Sequence, residues 1–267
     1  MPATPSTPQP ISSAARKLPS DLTIGLILAF VLAVPPLRAQ AAGEPPSNLA
    51  KLVAHQETET HAERNEYMYR QTVTIQELDD RGTAHGEYKE VRDIIFSPTH
   101  ERTEELIGRP NYGLQLLQMT EEDFRDIREV QPFLFSTDQL WAYETRFKGE
   151  ETVDGVECYV LQVRPQQILD GQRLFDGLLW ASKEDYSIVR TVGKAVPDIR
   201  SMKAENLFPH FTTLWEPVEG GFRFPVHTYS DDTLDFRTGP LRTRMDIRYA
   251  DYKRFGANSA IRYEKPE

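Results

Sequence analysis

The sequence predicts a mainly β protein, built on an antiparallel sheet with one wet face and one apolar face. Three observations lead there. Residues 241–249 alternate strictly, with Leu241, Thr243, Met245, Ile247 and Tyr249 on one side and Arg242, Arg244, Asp246 and Arg248 on the other. That is the period of a half-buried strand. Extended runs of this kind recur through the second half of the chain, separated by short polar turns such as Asp154-Gly155 and Glu219-Gly220-Gly221. Helical periodicity, by contrast, is confined to a few short stretches. An antiparallel sheet of this kind must cover its apolar face, either by curling over the helices or by closing as a barrel.

Taken in order, residues 1–41 have the three parts of a secretory signal. Arg16 and Lys17 supply charge, Leu22–Val34 is almost wholly apolar, and Ala39 and Ala41 form an A-x-A exit. The apolar run is 13 residues, short of the ~20 that span a bilayer. A cleaved signal and a periplasmic location are therefore expected. A retained anchor is the alternative, and Asp21 beside the apolar run favours it. Cys158 is the only cysteine, so a lipid-anchoring cysteine at the cleavage point is absent and an internal disulfide is excluded.

Residues 42–60 read as an N-terminal helix or linker and 61–267 as a single β domain. Tyr67, Tyr69, Val73 and Ile75 fall on one side of a strand over 67–78. A turn at Asp79-Asp80-Arg81-Gly82 and a second strand over 86–96 complete a hairpin. A third strand is expected at 102–107. Thr120 is placed to cap a helix over 121–127, whose acids Glu121, Glu122 and Asp123 suit the positive end of the helix dipole. Further strands are predicted at 141–151, 157–165, 172–182, 187–195, 210–217, 222–230 and 241–255. Residues 196–209, bounded by Pro197 and Pro209, read as a loop with a short helix.

The composition excludes some functions. Residues 42–267 carry 28 basic and 40 acidic side chains, a formal charge of −12. Nucleic-acid binding depends on neutralising phosphates, so none is expected. There is no G-x-S-x-G elbow, no H-E-x-x-H and no phosphate-cradling glycine loop. His55 and His61 stand six apart, off the i, i+4 spacing of a helical ligand pair. Asp231, Asp232 and Asp235 read as a turn after a strand, with calcium as the other reading. No catalytic residue, cofactor or metal is expected. Trp141, Trp180 and Trp215 are assigned to strands, as core or cavity wall.

The segments YMYRQTVTIQELDDRGTAHGEYKEVRDIIF, LQLLQMTEEDFRDIREVQPFLF, GLLWASKEDYSIVRTVGKAVPDIR and FRFPVHTYSDDTLDF resemble bacterial outer-membrane lipoprotein-sorting proteins of the LolA/LolB-like superfamily. The resemblance covers about residues 60–255. It implies an unclosed β-barrel of about eleven antiparallel strands, wrapped around helices that lid a hydrophobic cavity. It also implies a non-enzymatic carrier of the acyl chains of a lipid or lipidated protein. The alternative is an envelope sensor that binds a membrane-protein partner. Arg70 is the nearest counterpart of the carriers' ligand-latching arginine, its other reading being an exposed strand arginine. Trp180, Trp215, Phe224, Met245 and Ile247 are the expected cavity residues. If large side chains such as Trp180, Trp215 and Phe224 fill that cavity, carriage is disfavoured.

Overall fold

The computed structural model describes residues 44–97, 101–129, 135–168, 173–200 and 205–255. The expected signal segment lies outside them. The described chain opens with helix α1 (Leu49–Arg64), followed by the hairpin β1 (Tyr67–Leu78) and β2 (Ala84–Phe96). Next come β3 (Arg102–Leu106), β4 (Asn111–Tyr112), helix α2 (Glu121–Glu129) and a 3-10 turn at Leu140–Ala142. The second half is β5 (Tyr143–Val153), β6 (Val156–Pro165), β7 (Leu174–Ser182), β8 (Ile188–Val196), β9 (Ile199–Arg200), β10 (Glu205–Asn206), β11 (Phe211–Pro217), β12 (Arg223–Phe236) and β13 (Gly239–Arg254).

Eleven of these strands form one antiparallel sheet in the order β3-β2-β1-β13-β12-β11-β8-β7-β6-β5, with β4 added beside β2. β3 and β5 are not paired to each other, so the sheet is open. The last strand pairs with the first, β13 beside β1. Its register sets Val73 opposite Ile247 and Ile75 opposite Met245. On β1 the residues Tyr67, Tyr69, Gln71, Val73, Ile75 and Glu77 are all buried, and those between them are not. β13 repeats the pattern with Thr243, Met245, Ile247 and Tyr249. Alternation thus makes one continuous inward face. The β5 edge carries Glu144, Arg146, Lys148 and Glu150, charges that discourage pairing with another chain.

One main core fills the inside. It joins Val73, Ile75, Leu161, Phe175, Leu179, Phe211, Trp215, Met245 and Ile247 from the strands with Leu49, Val53 and Ala54 from α1. Helix α1 runs from Leu49 to Arg64 and packs these three side chains into the core. A smaller cluster of Val153, Cys158, Val160, Trp180 and Val189 lies separate from it. Gly177 and Gly193 face each other across β7 and β8, and a Cβ on either would come within 2.6 Å of the Phe175 ring. Their bareness gives that ring its place in the core.

Within 196–209, residues 199–200 and 205–206 pair as β9 and β10, and 201–204 lie outside the described residues. Two local expectations change. Trp141 sits in the 3-10 turn, 68% exposed, and not in a strand. Asp231, Asp232 and Asp235 lie within β12, which runs on to Phe236, and not in a turn.

Candidate functional site

The inward face has two covers. α1 lies over it with Leu49, Val53 and Ala54, and α2 lies over it with Ile127, which is buried in the main core. α2 begins where the sequence predicts because Thr120 and Asp123 cap it reciprocally. The Asp123 amide donates to Thr120 Oγ1 at 3.3 Å, and the Thr120 amide donates to Asp123 Oδ2 at 2.7 Å. Asn206 Nδ2 then donates to Thr120 Oγ1 and Asp123 Oδ1, at 2.8 and 2.9 Å. One turn further on, Asp126 accepts from Arg173, whose Nη2 also donates to the Asn206 carbonyl at 2.8 Å.

The Asp126–Arg173 pair is withdrawn from water, with side-chain exposures of 2% and 6%. Burial pushes the Asp126 carboxyl up to about 6, against the opposing pull of Arg173. Desolvation therefore outweighs the attraction, and the pair fixes where α2 sits without adding much to stability. Burial also raises Asp123, against its hydrogen bonds to Thr120 and Asn206.

The chain entering α2 is held separately. Glu77, fully buried on β1, accepts the amides of Gln115 and Leu116 at 2.9 and 2.7 Å, and that of Leu117 as well. Gly86 makes room for it, since a Cβ there would stand 2.2 Å from the carboxylate. This clasp sets Leu117 and Met119 over the interior.

Two spaces beside these covers are lined by described residues. The first is an apolar gap of ≈ 30 Å³ lined among others by Ile75, Leu117, Met119, Ile127, Phe208 and Met245. The second is a cleft of ≈ 330 Å³ toward β2 and β3, lined by charged and aromatic side chains. In this conformation the gap has room for about one water molecule.

The expected site residues separate. Trp215, Met245 and Ile247 are buried in the main core on the inward face. Trp180 lies with the smaller cluster, because Phe175, Leu179 and Ala181 take the inward phase of β7 and Trp180 falls between them. Its Nε1 donates to Glu151 at 2.8 Å, and the Arg190 guanidinium stands 3.9 Å over its ring. Phe224 packs between the rings of Tyr67 and Tyr252, at 5.0 and 5.1 Å. Arg70 occupies the opposite phase from Gln71 and Val73, 42% exposed, and donates twice to Asp93 at 2.8 and 2.9 Å. Its placement is that of a strand arginine, away from the inward face.

Asp231 is paired with Arg242 and Arg244, whose hydrogen bonds hold its carboxyl below the usual range. Asp232 accepts the His210 amide at 2.9 Å. Among the described residues no group of three or more His, Cys, Asp or Glu could hold a metal ion. Burial pushes the Cys158 thiol up to about 11, which suppresses the reactive thiolate. No helix among the described residues is long and apolar enough to cross a membrane.

The polar groups that hold the covers, Glu77, Asp126, Arg173 and Asn206, are absent from the sequence prediction. Only Glu77 leaves a signal there, a carboxylate in phase with Val73 and Ile75.

Neither a protein-family model nor a curated protein matches the chain. Solved structures do. The chain is similar to a DUF1329 family protein from Desulfovibrio piger, at 12% identity over 81% of this chain and 96% of that one, with a TM-score of 0.42. It is similar to a putative outer membrane lipoprotein-sorting protein domain from Vibrio parahaemolyticus, at 11% identity over 76% and 92%, TM-score 0.35. A LolA superfamily protein from Nitrosomonas europaea matches at 12% identity over 75% and 94%, TM-score 0.33. These are likenesses of fold.

Proposed function

We propose that this protein is a non-enzymatic carrier or binding protein, which takes the acyl chain of a lipid or lipidated protein into the inside of its open sheet. One observation carries the reading: among the described residues the apolar inward face is covered at α2 by a nine-residue helix, with only the two-stranded β9–β10 pair beside it. A short cover fixed by polar contacts can leave and return, whereas a packed sheet cannot. With α2 displaced, Ile75, Met245 and Phe208 become the wall of a cavity. Each buried CH₂ of a ligand contributes about 0.8 kcal/mol, so affinity needs no special polar residue. The proposed compartment is the periplasm, on the signal-like pattern of residues 1–41.

The test is native mass spectrometry of protein purified without detergent, before and after challenge with a fluorescent fatty acid. A stoichiometric acyl-bearing adduct that is released on denaturation supports carriage. A mass that stays free of ligand throughout removes it.

The small size of the interior gap favours a second reading, an envelope module that binds a membrane-protein partner. Its surface would be the β3–β4 edge, where Leu106, Ile107, Tyr112 and Leu116 are exposed. Crosslinking in envelope extract that captures one membrane protein through this edge, with no lipid bound, would select it.

A further inference from the structure

The charged cleft beside α2 runs from the buried Gln71 and Glu90 on the inward side of the sheet out to Glu121, which is exposed to water. Its charges fall into two sets. Arg92 is engaged: it donates to both oxygens of the buried Glu90 carboxylate, at 2.8 and 2.9 Å, and to Glu104 at 3.1 Å. Arg128 and Glu121 both line the cleft from α2. Among the described residues neither has an ion-pair partner. Seven residues apart on one helix, they share a face and are separated by about 10 Å along its axis. An exposed anion and a half-buried cation, neither ion-paired among the described residues, thus border one cleft.

The net charge decides what suits it. Three carboxylates (Glu90, Glu104, Glu121) stand against two guanidiniums (Arg92, Arg128). A simple anion meets a net negative wall, and a simple cation leaves Arg128 unmatched. A dipolar group matches both. The cleft also adjoins the apolar gap, since Ile127 lines both spaces. An amphiphile whose chain lay on the apolar side of Ile127 would hold its polar end in the cleft.

We infer that this cleft is the head-group site for a zwitterionic amphiphile, with a phosphate against Arg128 and an amine against Glu121. The inference rests on the carrier reading above and narrows its ligand class. The same phosphate-and-amine chemistry also exists in a free, chainless molecule, so the test separates the two.

The experiment measures binding to the purified full chain by titration calorimetry with three probes. These are dihexanoyl phosphatidylethanolamine, dihexanoyl phosphatidylglycerol with the same chains and no amine, and chainless O-phosphoethanolamine. The amine-bearing lipid is expected to bind about tenfold tighter than the phosphoglycerol lipid, the scale of one charge-assisted contact. Arg128→Gln and Glu121→Gln should each remove the preference. Arg125→Gln, on α2 but outside the cleft lining, should leave it intact. Melting curves confirm that the variants are folded. Equal binding of the two lipids, unchanged by the variants, overturns the head-group site and leaves the carrier reading standing. Binding of O-phosphoethanolamine alone supports the polar site and removes the carrier reading. If no probe binds, both fall.

Discussion

Glu57 shows most sharply how a single side chain can be at odds with its surroundings. It faces inward from α1, 2% exposed, and one of its oxygens has no hydrogen-bond partner. Burial raises its carboxyl from 4.5 to about 7, with Arg64 pulling the other way. The folded chain therefore keeps a proton that the unfolded chain loses above 4.5, and stability falls as pH rises through that interval. The full effect is on the order of 3 kcal/mol. His61, one turn along, acts in the opposite sense. Burial and then Arg64 lower it from 6.5 to about 4, so the unfolded chain binds the extra proton and stability rises with pH up to 6.5. The two effects oppose each other below 6.5, and the Glu57 effect stands alone above it. Urea unfolding at a series of pH values should thus show the wild type losing stability between about pH 6.5 and 7.5. Glu57→Gln should stay level over that interval. Parallel curves for the two proteins would mean that Glu57 is solvated in solution.

At the scale of elements, the segment that leads into α2 hangs on one carboxylate. The amides of Gln115, Leu116 and Leu117 all point at Glu77, and such bonds to a charged acceptor are about twice as strong as neutral ones. Glu77→Gln turns an acceptor oxygen into an NH₂ that faces a backbone N–H. It should cost about 1–3 kcal/mol, and hydrogen exchange should show residues 115–117 losing protection while β1 keeps its own. Uniform protection across the variant would mean that the segment is held by packing alone. Strand placement was legible in the sequence wherever one face is wet, because alternation then prints the phase, as in β1 and β13. It failed where tertiary contacts decide. The extension of β12 through Asp231 and Asp232 depends on Arg242 and Arg244 across the hairpin, which turn propensity does not register. The inward positions of Met245 and Ile247 are legible from period, whereas residue type alone does not separate Trp215, which is in the main core, from Trp180, which lies with the smaller cluster. The Asp126–Arg173–Asn206 contacts join residues far apart in the chain, and no local pattern announces them.

At the scale of the whole molecule, the open sheet divides the cover of its interior between α1 and α2, and the α2 cover is positioned by a pair whose desolvation exceeds its attraction. Such a pair gives up little when it returns to water, which is the property a displaceable cover requires. Apolar side chains of similar volume in the same place would do the reverse. They would have no reason to leave the interior, and buried ion pairs replaced in this way commonly gain about 1–4 kcal/mol. The double variant Asp126→Leu with Arg173→Met should therefore melt higher than wild type and take up a fluorescent fatty acid more slowly, as stopped-flow fluorescence would record. The single variant Asp126→Leu strands the Arg173 charge and should do the opposite, melting lower by about 3–5 kcal/mol of lost stability and binding faster. The contrast between the two variants isolates the cover from stability in general. A double variant that melts higher yet takes up ligand at the wild-type rate would show that the ligand enters by another route and that α2 is a fixed part of the core.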